Sequence, residues 1–468
     1  MSTLQPAGVD LLVDARCGIV RKLLRVPTPD WLPAQLVVYG ADVAGLGCHG
    51  PWVDPWTSAA TLADPPGARA AALGEAAERY AGNLVPPGLR RGSAGELRDG
   101  GAQLVGPADL PLYAPWQYAA RGFPFVPFTD DLRIAWVDGV DLTSGATVAV
   151  PASLAYLNYH HNINYRRGGP DHADRPDRRR AAEPVTHGVY FPGIAAGPSP
   201  VIAQETALAE VIERDAVSVW WCADAPATGI DLDSLPELAA VLATTRLRCH
   251  LAWIPTRLGL PVVAALLHDP EQGIVTLGSA ARQDPTAAAV KAFAEACQLA
   301  LFSADLLDPA SRVWKAVATG RQDRRCFLPY RADRRYLDQA GVDYRAAVDF
   351  AVHAQLYLDP RMHDRVDRLR RPARVLGIDD ISAGSHSHVL QRLTDQDLRA
   401  VAIDLTSSDL RTAGVHVARV VVPGLCANAP AALPYLGAHR LYTEPVALGW
   451  AAAPLRPTDV VRAPIPAI

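Results

Sequence analysis

The sequence lacks the features that would place it in a membrane or on a nucleic acid. Its 468 residues contain no uninterrupted apolar run of about 18 residues, the length that a membrane span needs. The N-terminal MSTLQPAGVDLL has no basic region followed by an apolar stretch, so no secretory signal peptide is expected. The formal net charge is -4, which supplies no overall positive field for nucleic acid. We therefore expect neither a membrane span nor a nucleic-acid partner.

The cysteines show neither a disulfide framework nor a zinc motif. There are seven of them, an odd number, and no two lie at metal-ligand spacing. Such scattered cysteines are typical of a reduced, cytoplasmic protein. They are Cys17, Cys48, Cys222, Cys249, Cys297, Cys326 and Cys426.

What is present favours a folded chain of mixed helix and strand, either α/β or α+β, without a doubly wound βαβ series. Hydrophobic residues make up 49% and charged residues 20%, enough to bury a full core. Helical patterns cover residues 65–82, 200–221 and 285–303, whereas residues 132–152 read as a hairpin with a turn at Ser144-Gly145. Buried strands are expected at 249–255, 261–267, 397–405 and 415–422.

Two segments have no periodic pattern. Residues 158–188 are polar and rich in Arg, Gly and Pro, which predicts an exposed loop or insertion. Residues 455–468 form a Pro-rich C-terminal tail that cannot be regular helix.

The three predicted helices share one register. Each opens with Asp or Ser followed by Pro, and a glutamate lies ten residues after the proline. An Asp or Ser side chain can cap the free N–H groups of a helix, and proline is tolerated at the first helical position. The three sets are Asp64, Pro65 and Glu75; Ser199, Pro200 and Glu210; and Asp284, Pro285 and Glu295.

The first two helices also repeat a phrase, ALGEAAER (72–79) and ALAEVIER (207–214), with AFAEACQL (292–299) as a weaker third copy. The i, i+3 spacing puts each pair of glutamates on one helix face, and Arg79 and Arg214 follow at i+4 from the first. The alternative is a solvated face with weak ion pairs. Four carboxylates brought together would instead favour Mg²⁺, which takes carboxylate oxygens and bridges to phosphates. The candidate metal ligands are Glu75, Glu78, Glu210 and Glu213.

These phrases resemble the YcaO family. ALGEAAERYAG and ALAEVIERDA look like its first two signatures, and GSAARQDPTAAAVKAFAEACQ resembles the stretch up to its third. DLTSSDLRTAGVHVARVVVPGL and YLGAHRLY look like the C-terminal part of its azoline-forming members. The resemblance covers about residues 10–450 without the 158–188 insertion. It implies one YcaO-like domain over 1–468, with a threefold pattern of capped acidic helices packed on β-sheets.

The resemblance also implies a function. Members use ATP and Mg²⁺ to convert Cys, Ser or Thr of a ribosomally made precursor peptide into thiazoline or oxazoline, and related members form macroamidines or thioamides. Azoline formers work with a leader-binding partner that resembles ubiquitin-activating proteins, here expected as a separate chain. A homodimer is an expectation from the resemblance alone. The residues that match the family's cofactor positions are Glu75, Arg79, Glu210, Arg214 and Gln298.

Several positions depart from the family pattern. The family commonly has Ser, Asn, Glu and Arg at the positions of Ala71, Pro198, Ile202 and Ala300. A Gly-Lys-Gly or Gly-Arg-Gly before the first helix is replaced by AATL, and the terminal PxPxP is partial. Each change removes a side chain that would donate a hydrogen bond to phosphate, a metal ligand or a feature of the C-terminal tail. A second hypothesis is therefore a nucleotide-free pseudoenzyme that binds peptide or scaffolds an active partner.

Overall fold

The computed structural model of the protein describes residues 6–45, 55–160 and 183–467. Helices and strands are mixed, as the sequence predicts. The helices of seven or more residues are α1 (Pro65–Asn83), α2 (Pro200–Cys222), α3 (Pro236–Ala243), α4 (Pro285–Leu307), α5 (Arg312–Ala318), α6 (Phe350–Leu356), α7 (His386–Thr394) and α8 (Arg440–Ala447). Shorter helices are Pro6–Val9, Ala94–Asp99, Pro115–Tyr118, Ala152–Ala155, Leu337–Ala340, Asp367–Arg370 and Ser408–Thr412.

The strands form three sheets among the described residues. An antiparallel three-stranded sheet has the order β1 (Val20–Val26), β2 (Leu36–Val43) and β3 (Trp56–Leu62). Helix α1 packs against β2 and β3, and α4 also contacts β3. The sheet therefore forms a wall between the first and third of the long helices.

The second sheet has five strands and carries α4 across it. Its order is β11 (Ile274–Ala281), β10 (Val262–Asp269), β9 (Arg248–Ile254), β8 (Thr228–Ile230) and β12 (Arg374–Leu376). Gly278 in β11 permits the close approach of α4, since a Cβ there would lie 2.2 Å from the carbonyl oxygen of Ala292. This contact fixes the height of α4 above the sheet.

The third sheet has six strands and supports α2. Its main path runs β4 (Arg90–Gly92), β5 (Ile134–Asp141), β13 (Val401–Asp404), β14 (His416–Val421) and β7 (Ile194–Gly197), with β6 (Thr147–Pro151) paired to β5. The β5–β6 hairpin confirms the predicted one, and Gly145 in its turn has a φ of +73°. Helix α2 packs on β14 and β7, and α1 also contacts β7.

The three long helices begin at the prolines expected from the sequence. The side chain of Asp64 accepts a hydrogen bond from the N–H of Gly67, and Ser199 accepts one from Ile202. Asp284 accepts from Thr286 and Ala287. By length and composition α4 is apolar enough to cross a membrane, but about half of its apolar stretch is buried among the other residues, as in the core helix of a folded domain.

The prediction that residues 158–188 form an exposed loop is wrong at both ends of this segment. Tyr159 is 3% exposed and donates a hydrogen bond of 3.1 Å to Glu183, which is 6% exposed. Arg91 also pairs with Glu183 over 3.1 Å, and His187 is buried. The polar residues at these ends are buried because they find partners in the fold. Residues 161–182 lie outside the described part of the chain.

Residues 455–467 of the C-terminal tail contain neither helix nor strand, and hydrogen bonds hold this segment in place. The indole of Trp221 donates to the carbonyl of Ala463 over 2.7 Å, and Tyr357 donates to that of Pro464 over 2.8 Å. The N–H of Leu277 in β11 donates to the carbonyl of Pro466 over 2.7 Å. The tail therefore lies along the outer edge of the five-stranded sheet, and Ala467 reaches the cavity described next.

Candidate functional site

A cavity of about 1690 Å³ lies where α1, α2 and α4 meet the three-stranded sheet. It is larger than the 300–1,000 Å³ or so that is usual for one small ligand. Every candidate residue named from the sequence lines it: Glu75, Glu78, Arg79, Glu210, Glu213, Arg214 and Gln298. The structure thus brings together side chains from helices that are far apart in the sequence.

The first helix contributes one ion pair and one half-buried carboxylate. Arg79 contacts Glu75 over 2.8 Å, one turn earlier on α1. The Oε1 atom of Glu78 accepts a hydrogen bond of 2.7 Å from the N–H of Ala196 in β7. Burial, followed by repulsion from Glu75, raises the pKa of Glu78 well above its ordinary value. Glu78 is therefore a group that a bound cation would favour in its ionised form.

The second helix places Glu210 against the same strand region. The Oε2 atom of Glu210 accepts from the N–H of Gly193 over 3.0 Å, whereas Arg214 lies 3.9 Å away. Burial raises the pKa of Glu210 despite the partial compensation by Arg214. Gly193 has a φ of +89°, and a Cβ there would lie 2.2 Å from the carbonyl oxygen of Val420. Glycine at this position is therefore what allows the N–H to point at Glu210.

Glu213 is the most enclosed of the predicted ligands. It accepts hydrogen bonds from the hydroxyl of Ser279 over 2.7 Å and from the N–H of Ala281 over 3.2 Å. Arg214 contacts it over 3.1 Å. Burial raises the pKa of Glu213 to about 7, against the opposing effect of Arg214. This carboxyl group therefore titrates close to neutral pH.

Helix α4 supplies Gln298, whose amide is already engaged. Its Nε2 atom donates to the carbonyl oxygen of Ser58 over 2.7 Å and to the Ser58 hydroxyl over 2.9 Å. One turn earlier, Lys291 and Glu295 form an ion pair of 3.0 Å at the cavity wall. Gln298 therefore connects α4 to β3, while Glu295 adds a fifth carboxylate near Glu213.

The departures from the family pattern fall in two places. Ala71, Pro198 and Ile202 line the cavity, where they form an apolar part of its wall. Ala300 is 1% exposed and lies in the hydrophobic core, outside the cavity lining. Ala300 therefore does not face the cavity, so a ligand there gains no contact from this position. Leu301 and Phe302, about one turn after Gln298, line the cavity instead.

Sequence reasoning missed the groups that hold the carboxylates. Ser279 interrupts an apolar strand pattern in β11, and Arg419 does the same in β14, so an isolated polar residue in a buried strand is the signal. Arg419 is fully buried and donates to the carbonyl oxygens of Leu154 and Phe191 over 2.8 and 2.9 Å. Burial lowers its pKa to about 10. The Arg419 side chain therefore holds the chain in place just before Gly193.

The acidic residues fit a magnesium ion in donor type but do not form a finished cage. Within the described residues, no three His, Cys, Asp or Glu side chains converge at metal-ligand spacing. Glu78 and Glu210 each bind an amide through one oxygen, which leaves the other to face a cation. Carboxylate oxygens are the ligands Mg²⁺ prefers, and a divalent charge would offset the repulsion that raises these pKa values.

Comparison with known proteins identifies the family. A family model described as YcaO cyclodehydratase, binding ATP and Mg²⁺, matches residues 61–426. The chain belongs to the YcaO family. No curated protein matches its sequence.

Solved structures share the YcaO fold at low sequence identity. A heterocyclase in complex with substrate and cofactor superposes with a TM-score of 0.67 at 20% identity, covering 98% of this chain and 57% of its own. The heterocyclase TruD gives 0.56 at 21% identity, with 85% and 50% covered. The YcaO of Methanopyrus kandleri, bound with AMPPCP and Mg²⁺, gives 0.54 at 19%, with 88% and 90% covered. The chain spans about half the length of the two heterocyclases.

Proposed function

We propose that this YcaO protein modifies a ribosomally made precursor peptide by ATP- and Mg²⁺-dependent cyclodehydration of Cys, Ser or Thr to thiazoline or oxazoline. The supporting observation is the shared cavity, in which α1 and α2 present four glutamates, and the pKa values of Glu78, Glu210 and Glu213 are raised. The matching family model is described as ATP- and Mg²⁺-binding, which supports the same cofactors.

The proposed roles follow from position. Glu75, Glu78, Glu210 and Glu213 would hold the magnesium ions through their cavity-facing oxygens, and Arg79 and Arg214 keep neighbouring carboxylates oriented. When bound, Mg-ATP would supply the phosphoryl group that turns an amide oxygen into a leaving group. The volume of about 1690 Å³ has room for a nucleotide beside an extended peptide.

The partner is proposed from a related assembly. The microcin synthetase of E. coli is a complex of several proteins, McbBCD. We propose by analogy that leader binding falls to a separate chain that resembles ubiquitin-activating proteins. The six described cysteines are all free, which supports the cytoplasm as the compartment. The homodimer stays a prediction.

Macroamidine and thioamide formation are alternative outcomes for the same activated amide. Azoline and amidine formation each remove one water, whereas thioamide formation exchanges oxygen for sulfur. Tandem mass spectrometry of a treated precursor separates the three, because only an azoline modifies a Cys, Ser or Thr together with its preceding amide.

A second candidate function is a pseudoenzyme that binds peptide or scaffolds an active partner. It is favoured by the apolar wall of Ala71, Pro198 and Ile202, where a nucleotide site would present polar groups. Such a wall lowers the number of contacts available to phosphate, while leaving the scaffold intact.

Calorimetric titration with Mg-ATP, followed by phosphate release with a Cys-rich precursor, distinguishes the two functions. For the enzyme we expect binding and release that Glu213→Gln abolishes, while Glu237→Gln, at an exposed glutamate on α3, changes neither. Absence of binding at millimolar Mg-ATP would refute the enzyme. Nucleotide binding gained only after Ala71→Ser with Ile202→Glu would then support a pseudoenzyme.

A further inference from the structure

The three-stranded sheet also lines the large cavity. Alternate residues of β1 and β3 face it, among them Leu24, Trp56 and Ser58. Leu24 and Trp56 are each 38% exposed, so two large apolar side chains stand open to the cavity.

Trp56 is seated on the sheet by a glycine. A Cβ on Gly40 would lie 2.1 Å from Cζ2 of the Trp56 ring and within 3.0 Å of two further ring atoms. The indole therefore lies over the bare backbone of β2. Leu24 is paired with Gly40 from the other side, so an apolar strip crosses the sheet from β1 to β3.

The strip ends in charged groups. Asp42 is the register partner of Trp56, and it pairs with Arg21 over 3.0 Å and with Arg321 over 3.7 Å. Arg321 follows α5, so its reach to Asp42 brings the segment after α5 to the sheet at this point. The strip thus combines an exposed apolar surface with charged groups at one end, which suits a flat ring with hydrogen-bonding edges.

The apolar strip lies close to helix α4. Ser58, two residues along β3 from Trp56, binds Gln298, and Glu295 lies one turn before Gln298 on α4. Two strand residues span about 6.6 Å and three helical residues about 4.5 Å along the axis. Repulsion from Glu295 raises the pKa of Glu213, so these two carboxyl groups lie near each other. A ligand with phosphates at Glu213 and Glu295 would therefore reach the indole with a group attached through a sugar.

We infer that Trp56, seated on Gly40, is the stacking platform for the base of the nucleotide whose phosphates the acidic helices hold. This inference rests on the proposed function, and it names the residue that gives a nucleotide its advantage over bare polyphosphate. Aromatic rings bind bases through their π-faces with little dependence on the base, so the platform contributes affinity.

Calorimetry with two ligands, Mg-ATP and Mg-tripolyphosphate, tests the platform apart from the phosphate site. We expect the wild-type protein to bind Mg-ATP about tenfold or more tightly than Mg-tripolyphosphate, in line with one stacked base. Trp56→Ala should remove this advantage and leave the tripolyphosphate affinity within about twofold. Trp56→Phe should retain most of it. Trp116→Ala, at a tryptophan that lies beside Arg462, should change neither affinity.

Gly40→Ala gives an independent check, because it displaces the indole without removing it. It should reduce the affinity for Mg-ATP and spare that for Mg-tripolyphosphate. Equal wild-type affinities for the two ligands, or an equal loss of both in Trp56→Ala, would overturn the platform while the phosphate site stands. If neither ligand binds the wild-type protein, the proposed function and the platform both fail.

Discussion

The hydroxyl of Ser279 donates to Glu213 over 2.7 Å and so ties β11 to helix α2. Strand β11 belongs to the five-stranded sheet that carries α4. The bond therefore connects helix α2 to this sheet, and both border the cavity. It also lowers the pKa of Glu213, which burial raises. The protonation of one carboxyl group is thereby linked to the packing of a sheet.

Replacing Ser279 by alanine should loosen this joint. We expect Ser279→Ala to lower the free energy of unfolding by about 1–2 kcal/mol, because a buried carboxyl oxygen loses its partner. It should also raise the pKa of Glu213 further and weaken Mg-ATP binding at neutral pH. Urea unfolding and calorimetry measure the two effects. Ser303→Ala, at a buried serine of α4 outside the cavity, is the matched control, and equal losses in both variants would contradict the prediction.

The raised pKa of Glu213 predicts a pH dependence of stability. Since its folded pKa is about 7 and its ordinary value is 4.5, the native chain binds more protons than the unfolded chain between those values. The free energy of unfolding should therefore fall as pH rises through this window. Urea unfolding at pH 5 and pH 8 should show a drop smaller by about 1–3 kcal/mol in Glu213→Gln than in the wild-type protein. Equal drops would refute the assignment.

Cation binding should release protons near neutral pH. A divalent ion among Glu78, Glu210 and Glu213 favours their ionised forms, so protons held because of burial must leave. Titration with MgCl₂ in two buffers of different ionisation enthalpy should show release at pH 6.5 and much less at pH 8.5. Proton uptake, or release independent of pH, would show that these carboxyl groups do not take the ion.

Gly278 should be intolerant of a side chain. A Cβ there would meet Ala292 at 2.2 Å and the backbone nitrogen of Ala296 at 2.5 Å, so Gly278→Ala must push α4 off the sheet. We expect a loss of about 1–3 kcal/mol of unfolding free energy, together with weaker Mg-ATP binding because Glu295 and Gln298 move. Gly45→Ala, where no atom of the described residues lies within 4 Å of the added Cβ, is the control for thermal unfolding. Unchanged stability of Gly278→Ala would contradict this packing.

Local features of the fold could be predicted from the sequence because their causes are local. The caps at Asp64, Ser199 and Asp284 involve residues two or three positions away, and helical periodicity does the rest. The burial of Glu183 could not be predicted, because the segment around it has the polar composition of a loop. Its partner Arg91 lies far away in the sequence. Polar composition alone predicts exposure, and a specific partner reverses it.

The site shows the same division. Glu75 with Arg79 and Glu210 with Glu213 follow from helix spacing, whereas the N–H groups of Ala196 and Gly193 reach Glu78 and Glu210 only through the tertiary fold. Ala300 shows how periodicity corrects an alignment of motifs. It lies two residues after Gln298 and about 200° around the helix axis, so it faces the core and not the cavity.

The hold of the tail on β11 has a consequence for biosynthesis. Strand β11 is mostly apolar and is buried along its whole length, and the N–H of Leu277 on its outer edge donates to the carbonyl of Pro466. That carbonyl is made about 190 residues after β11, which corresponds to roughly 10–40 s of translation. During this interval β11 is an unpaired edge strand, to which a strand of a second nascent copy can pair. Yield of correctly folded protein should therefore depend on how fast the ribosome completes the chain.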